Sequence, residues 1–329
     1  MIVNTTHTII GITCPFYCLL LQAMKPSILV IYFSQSGQLK QIIDNMLAPI
    51  QAHCTIEMVE IKPIKPFPFP WTADTFFDCM PECVQQIPEE IHTLQFAQQK
   101  YDLVILGYQP WFLSPSIPFN SFLQSAQASI LSHQKVLTVI GSRNMWLHAQ
   151  EKIKEQLNRL QAQLVGNIVF FDTNPNLTSV LTIIRWTFKG QKEATKWMPE
   201  AGVQQKDIAA ASKFGPIVLE ALVSNTSQSM HESLLAADAI ILKPGLIILE
   251  KRAIGNFRKF SKYILEKGSR GDMARKPRVK LFQKLLFVGV FILSPISNLT
   301  AEIVTLLNKK SLKKDVQYFK NISYRKNAI

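Results

Sequence analysis

Ile28-Leu-Val-Ile-Tyr-Phe-Ser-Gln-Ser-Gly-Gln-Leu39 decides the fold. Its first six residues are an unbroken apolar, partly β-branched run, as expected of a strand covered on both faces in a parallel sheet. Ser34-Gln35-Ser36-Gly37 then supplies hydroxyls, an amide and a glycine where the chain must turn. Beyond it, Leu39, Ile42, Ile43, Met46, Leu47 and Ile50 recur at the spacing of one helix face. Strand, small polar loop and helix is the arrangement in which backbone N–H groups and a helix N-terminus hold a phosphate. An ordinary βα turn uses the same residue types.

The unit repeats downstream. Thr55–Ile61 alternates as a second strand, and Tyr101–Gly107, Val136–Gly141 and Leu164–Phe171 read as three more. Helical spacing lies between them: Phe119, Phe122, Leu123 and Ala126 after Pro118, then Trp146, Ala149, Ile153, Leu157 and Leu160. Five strands alternating with helices predict an α/β fold, a doubly wound five-stranded parallel sheet with helices on both faces. Ligands on such sheets sit at the carboxyl ends of the strands. The loops Ser34–Leu39, Gly107–Ser116 and Gly141–Trp146 should therefore converge. Gly107 and Gly141 at strand ends, with aromatic loops beside a phosphate loop, describe a pocket for a flat ring carrying a phosphate.

Between the second and third strands, Pro63, Pro66, Pro68 and Pro70 interleave with Phe67, Phe69 and Trp71. That proline density excludes a helix or a central strand, so residues 62–90 are expected as an extended lid insertion over something apolar.

Charge is unevenly placed along the 329 residues. Residues 1–250 carry 17 basic and 19 acidic groups, whereas residues 251–329 carry 19 basic and 4 acidic. The globular part is therefore no nucleic-acid binder by composition. The five cysteines are odd in number, and Cys79-x3-Cys83 has no second pair at zinc-site spacing, so reduced thiols and no metal are expected. Residues 1–23 contain apolar stretches but no Lys or Arg, unlike a secretory signal. They read as a leader or mis-assigned start, with Met24 as the natural one. Residues 174–250 show helical spacing at Leu177, Val180, Leu181, Ile184 and Phe188, and are expected to pack on the sheet domain of residues 24–173, with Trp186 and Trp197 as packing residues. From 251 to 329 the chain is a basic, apolar tail. Leu285–Ala301 has no charge, and lysines stand on either side of it. Its length is marginal for crossing a bilayer, and an interfacial segment on an anionic leaflet fits it better than a spanning helix.

On these residues the chain resembles the flavodoxin-like superfamily. That family's phosphate loop is hydroxyl-x-hydroxyl-Gly-x-hydroxyl; Ser34, Ser36 and Gly37 match, and Leu39 departs from the last position. The resemblance implies FMN. Ser34, Gln35, Ser36, Gly37, Gln38 and Leu39 would meet its phosphate, and Pro110, Trp111, Phe112, Leu113, Ser142, Arg143, Asn144 and Trp146 would flank its ring. A longer resemblance runs through Ser34–Gln38, Lys65–Trp71, Trp111–Pro118, Asn144–Trp146 and Lys313–Phe319. These strings are similar to the bacterial dialkylresorcinol condensing enzymes, of flexirubin-related pathways. That resemblance implies a flavoprotein that aromatises a cyclohexanedione made by a partner ketosynthase. With the basic, apolar tail read above, the chain is expected to be cytoplasmic and held at the inner face of the membrane through residues 251–329. Removing two hydrogens is an oxidation, which a flavin can accept. Arg143, Tyr108 and His148 are then the candidates for anchoring a carbonyl or moving a proton. The competing readings are a flavodoxin-type electron carrier, an NAD(P)H-dependent flavin or quinone reductase, and a non-catalytic ketosynthase partner whose phosphate loop has decayed. Residues 25–172 carry only slightly more acidic than basic groups, a weak match to the acidic face of an electron carrier.

Overall fold

The computed structural model describes residues 25–293, 309–326 and 328. The expected leader at 1–23, the choice of Met24 as start and residues 294–301 of the apolar run lie outside the described residues.

Five strands form one sheet: β1 (Ser27–Tyr32), β2 (Thr55–Glu60), β3 (Leu103–Tyr108), β6 (Lys135–Ser142) and β7 (Gln163–Phe171). The two-residue strands β4 (Pro110–Trp111) and β5 (Ser114–Pro115) pair as a small antiparallel hairpin above it. Strand order is β2-β1-β3-β6-β7, and every pair in the sheet is parallel. The order reverses at β1, so the crevice between the carboxyl ends of β1 and β3 is the switch point of a doubly wound sheet. This is the flavodoxin-like arrangement.

Helices α1 (Gln38–Leu47), α2 (Ala73–Asp78), α3 (Met80–Gln85), α4 (Ile117–Gln124) and α5 (Leu147–Arg159) belong to the strand connections. After β7 come α6 (Asn176–Lys189), α7 (Gln205–Ala209), α8 (Phe214–Val223), α9 (Ser227–Ala236), α10 (Pro244–Leu265), α11 (Lys276–Val288) and α12 (Lys309–Lys320).

The side-chain period of two divides the sheet into two cores. Leu29, Ile31, Val104 and Leu106 point to one face, against Phe119 and Phe122 of α4 and Ile153 and Leu157 of α5. Ile28, Val30, Leu103 and Ile105 point to the other, against Leu39, Ile42, Ile43 and Met46 of α1 and Phe214, Val218, Met230 and Leu234 of α8 and α9. A Cβ at Gly107 would stand 2.5 Å from Ile43 Cδ1 and 2.9 Å from Tyr32 Cβ. This glycine therefore serves the close approach of α1 to the sheet, and not a ligand ring as its place at a strand end suggested.

The C-terminal extension is continuous with this body. Helix α10 runs straight across the expected division at residue 250, and Ile247 joins the α4–α5 core. Phe319 of α12 is buried in the same core, and Tyr318 donates its hydroxyl to Glu151 of α5 at 2.6 Å.

Two expectations need correction. The 62–90 insertion is extended only at its two ends, because α2 and α3 form within it. Thr72 caps α2 through a hydrogen bond from Thr75 N–H to its Oγ1 (3.1 Å), and Pro81 sits in the first turn of α3, where a missing N–H costs nothing. Their apolar residues Phe77, Met80 and Val84 dock on Ile264, Val279 and Phe282 of the extension, a partner that local proline counting does not reveal. Trp197, expected as packing, is 84% exposed, with Lys196 Nζ 5.3 Å from its ring centre. Trp186 does pack, edge-on to Phe69.

Candidate functional site

The site is built from the loop after β1 and what the loop after β3 lays beside it. Gly37 takes φ +79° at the N-cap of α1, a left-handed conformation that glycine adopts without a Cβ penalty. A Cβ built there meets nothing within 4 Å, so the space in front of the loop is open. The first turn of a helix leaves its N–H groups without partners inside the helix. Here Lys40 N–H reaches Ser34 Oγ at 3.4 Å and Gln41 N–H reaches the Gly37 carbonyl. The N–H groups of Ser36, Gly37, Gln38 and Leu39 find no acceptor among the described residues. Four outward N–H groups at the positive end of a helix dipole form an anion cradle.

Neighbouring amides fix this loop. Gln38 donates Nε2–H to the Val203 carbonyl (2.9 Å) and accepts Val203 N–H on Oε1 (3.0 Å), a reciprocal pair 165 residues apart in sequence. Gln35 donates from Nε2 to the carbonyls of Phe67 (3.1 Å) and Pro68 (3.0 Å), tying the loop to the proline-rich strap. Gln109, directly after β3, satisfies its amide only with the oxygen toward its neighbours, where it accepts Trp111 Nε1–H (3.3 Å) and Gln35 N–H (3.2 Å). Leu39 turns away from the loop and is 2% exposed in the α1 core. The position where the resembling family has its last hydroxyl gives no contact here.

An aromatic cluster adjoins the loop through Gln35 and Phe33. Trp111 meets Phe33, Phe67 and Trp71 edge-on, with centroids 5.7, 5.1 and 5.3 Å apart. The strap thus closes on Trp111, and Arg270 sits 4.5 Å above Phe67 while pairing with Glu89. The hairpin turn between β4 and β5 carries Phe112 at φ +47° and Leu113 at φ +64°, both costly for bulky residues. The side chains of His148, Cys83 and Phe76 hold that turn. His148 Nδ1–H donates to the Leu113 carbonyl (2.7 Å), Cys83 Sγ reaches the carbonyls of Trp111 (3.1 Å) and Pro115 (3.3 Å), and the Phe112 ring packs on Phe76 (4.8 Å).

The remaining expected site residues divide clearly. Tyr108 is fully buried, stacked on Phe119, and its hydroxyl donates to Gln150 at 2.6 Å. Burial, with Glu250 and Glu151 adding to it, pushes that phenol well above its ordinary value. His148 is pinned through both nitrogens, since Nε2 accepts from Arg258 (2.8 Å) while Nδ1 donates to Leu113. Burial first, then the Arg258 charge, lower it to about 4 against the opposing pull of the Leu113 carbonyl. It is neutral at pH 7 and is a positioning residue for the strained turn. Trp146, expected beside the ring, is instead 2% exposed in the α4–α5 core, because the chain dives there to start α5. Ser142 ends β6, and Arg143 and Asn144 face the β7 side, donating to Asn176 Oδ1 at 2.9 and 3.1 Å. Burial lowers Arg143 to about 10, with Asp172 opposing, so it stays charged at neutral pH. The structure therefore brings Ser34–Leu39 together with Pro110–Leu113, and places the Tyr108 and His148 side chains beneath that surface. Gln109, Phe67 and Trp71 belong to the site as well; the only sequence signal for Gln109 was its place at a strand's carboxyl end.

No family model matches the chain, and no curated protein matches it. Among solved structures, the chain is similar to an FMN-bound flavoprotein from Lactobacillus acidophilus, at 19% identity over 44% of this chain and 93% of that one, with a TM-score of 0.36. A flavoprotein from Bacteroides eggerthii is 17% identical over 44% and 87%, with a TM-score of 0.36. The two-electron reduced Megasphaera elsdenii flavodoxin is 14% identical over 45% and 88%, with a TM-score of 0.28. At these values the likeness adds no argument. The flavodoxin-like architecture stands on the strand order and connections of the chain itself.

Proposed function

We propose that this protein binds FMN and oxidatively aromatises a dialkyl cyclohexanedione, supplied by a partner ketosynthase, to a dialkylresorcinol. The observation that carries the flavin part is the cradle of four N–H groups at Ser36–Leu39 that have no acceptor among the described residues, open in front of Gly37, at the switch point of the sheet. The residues present fit the group. Ser34 and Ser36 with those N–H groups suit a phosphate, and Trp111 with the Pro110–Leu113 hairpin suits a flat ring once the strap lifts.

A bound flavin would supply an acceptor for the two electrons that leave the dione ring on aromatisation. The chain's own residues do the rest. The strap of Phe67, Phe69 and Trp71 excludes water and offers apolar surface to acyl chains. His148, by holding the turn at Leu113, keeps Trp111 in place. A second reading has its own support: Leu39 removes one phosphate contact, as expected of a ketosynthase partner without catalysis.

The test is the absorbance spectrum of the purified protein before and after adding FMN. A bound, shifted flavin band that Ser36→Asp or Gly37→Asp abolishes supports the cofactor. Anaerobic incubation of the loaded protein with a dialkyl cyclohexane-1,3-dione then has to bleach the band and yield a product lighter by two hydrogens. Bleaching by NAD(P)H without turnover of the dione would favour the reductase reading. A colourless protein that ignores FMN would remove the oxidative mechanism and leave the partner reading.

A further inference from the structure

Helix α11 and the turn after it carry two different apolar faces. Val279, Phe282 and Leu286 pack inward on Phe77, Met80 and Ile264. On the other side Leu281, Leu285, Val288 and Ile292 are 43, 43, 42 and 60% exposed, and no described residue covers them. Their spacing of four, three and four makes one stripe along the axis. Lys276, Lys280 and Lys284, all exposed, run at a spacing of four along one flank of the stripe, and Arg278 stands on the other. Residues 276–293 contain no acidic side chain.

We propose that this face docks on an anionic lipid bilayer surface, with α11 lying in the headgroup plane. The charge pattern selects that occupant. Lysines beside an apolar stripe can extend to lipid phosphates while their stems stay on the acyl boundary. A second copy meeting the same face about a two-fold axis would set lysine rows against each other. No helix among the described residues is long and apolar enough to cross a membrane.

The inward side gives the docking a consequence. An unbroken series of ring contacts leads from Phe291 through Phe287, Phe77, Phe76 and Trp71 to Trp111, at centroid distances of 6.1, 5.9, 5.2, 5.6 and 5.3 Å. An apolar seam thus joins the bilayer-facing helix to the candidate site. These rings are in mutual contact and tie the docked helix, through the lid helices, to Trp111.

The experiment is co-sedimentation of the full-length protein with phosphatidylcholine vesicles and with vesicles containing phosphatidylglycerol, which reads no flavin or turnover. Stronger binding to the anionic vesicles is expected, weakened by salt. Leu281→Ser with Leu285→Ser, and separately Lys280→Glu with Lys284→Glu, should each lower it about tenfold or more. All four side chains are exposed, and an unchanged melting temperature verifies that the variants fold. Binding to anionic vesicles that neither variant alters would overturn the proposal. So would indifference to vesicles together with dimers that the serine variant dissociates, which would assign the face to a second copy.

Discussion

Glu250 Oε1 accepts the backbone N–H of His148 at 2.6 Å, so a carboxylate from α10 caps the first turn of α5. Its second oxygen accepts Leu147 N–H at 3.2 Å, and the side chain is fully buried. A carboxylate at a helix N-terminus is favourable, and burial is not. Burial wins here, raising Glu250 to about 7 in spite of the three backbone N–H groups of His148, Leu147 and Trp146. The same contact fastens the extension to the helix that positions His148.

Two opposed titrations follow. From its ordinary value of 4.5 up to about 7, the folded chain holds a proton on Glu250 that the unfolded chain has released, so stability falls as pH rises through that window. His148 works in the other direction, because between about 4 and its ordinary 6.5 the unfolded chain binds the extra proton and stability rises with pH. The two nearly cancel from pH 4.5 to 6.5. Glu250→Gln keeps an oxygen for the cap and removes the falling limb. Its stability relative to wild type should improve between pH 4.5 and 7.5 by on the order of 2–3 kcal/mol. Urea unfolding at both pH values measures this, and an equal difference at the two would show that Glu250 does not titrate with folding.

Arg275 is fully buried and joins the lid helices to the extension. It donates to Glu82 at 2.5 and 2.9 Å, to Asp78 Oδ1 at 2.8 Å and to the Asp78 carbonyl. Substituting Arg275→Met leaves Glu82 buried without its counter-charge and should cost about 3–5 kcal/mol. Arg275→Lys should cost nearly as much, since an ammonium cannot reproduce the fork. Adding Glu82→Gln to Arg275→Met should recover part of the loss. A denaturant midpoint unchanged in Arg275→Met would show that the lid helices are held by apolar packing alone.

The strands and α1 were legible because fully covered strands are written as apolar runs and helix faces as periodic ones; Ile28–Phe33 and Leu39–Ile50 need no partner to be read. The cradle was legible in part, since Ser34–Gly37 is local. What decides the rest is distant in sequence. Gln38 finds Val203, Arg275 finds Glu82, and His148 finds Leu113 and Arg258, and none of these pairings leaves a local pattern. Tyr108 and Trp146 looked like loop residues because they stand where strands end, yet their rings turn into the core, a choice set by packing against Phe119 and its neighbours. The helices α2 and α3 were missed because Thr72 and Pro81 serve as starts rather than as breaks.

Gln35 is the joint between cradle and strap, and it yields the last prediction. Its two bonds to the Phe67 and Pro68 carbonyls are polar contacts on a half-buried side chain, each contributing about 0.5–1.5 kcal/mol. Gln35→Ala removes both while leaving Phe67 and Trp71 on Trp111, so the fold should survive and the strap should open more often. Two measurements follow that opening. Limited proteolysis within residues 66–71 should be several-fold faster than in wild type, whether or not a cofactor binds. The association rate of FMN, followed by quenching of flavin fluorescence, should rise with it, because the strap must lift to admit the ring. If cleavage quickens while flavin association does not, the strap covers core and not a site. If neither changes, the apolar contacts at Trp111 hold the strap and Gln35 is incidental to it.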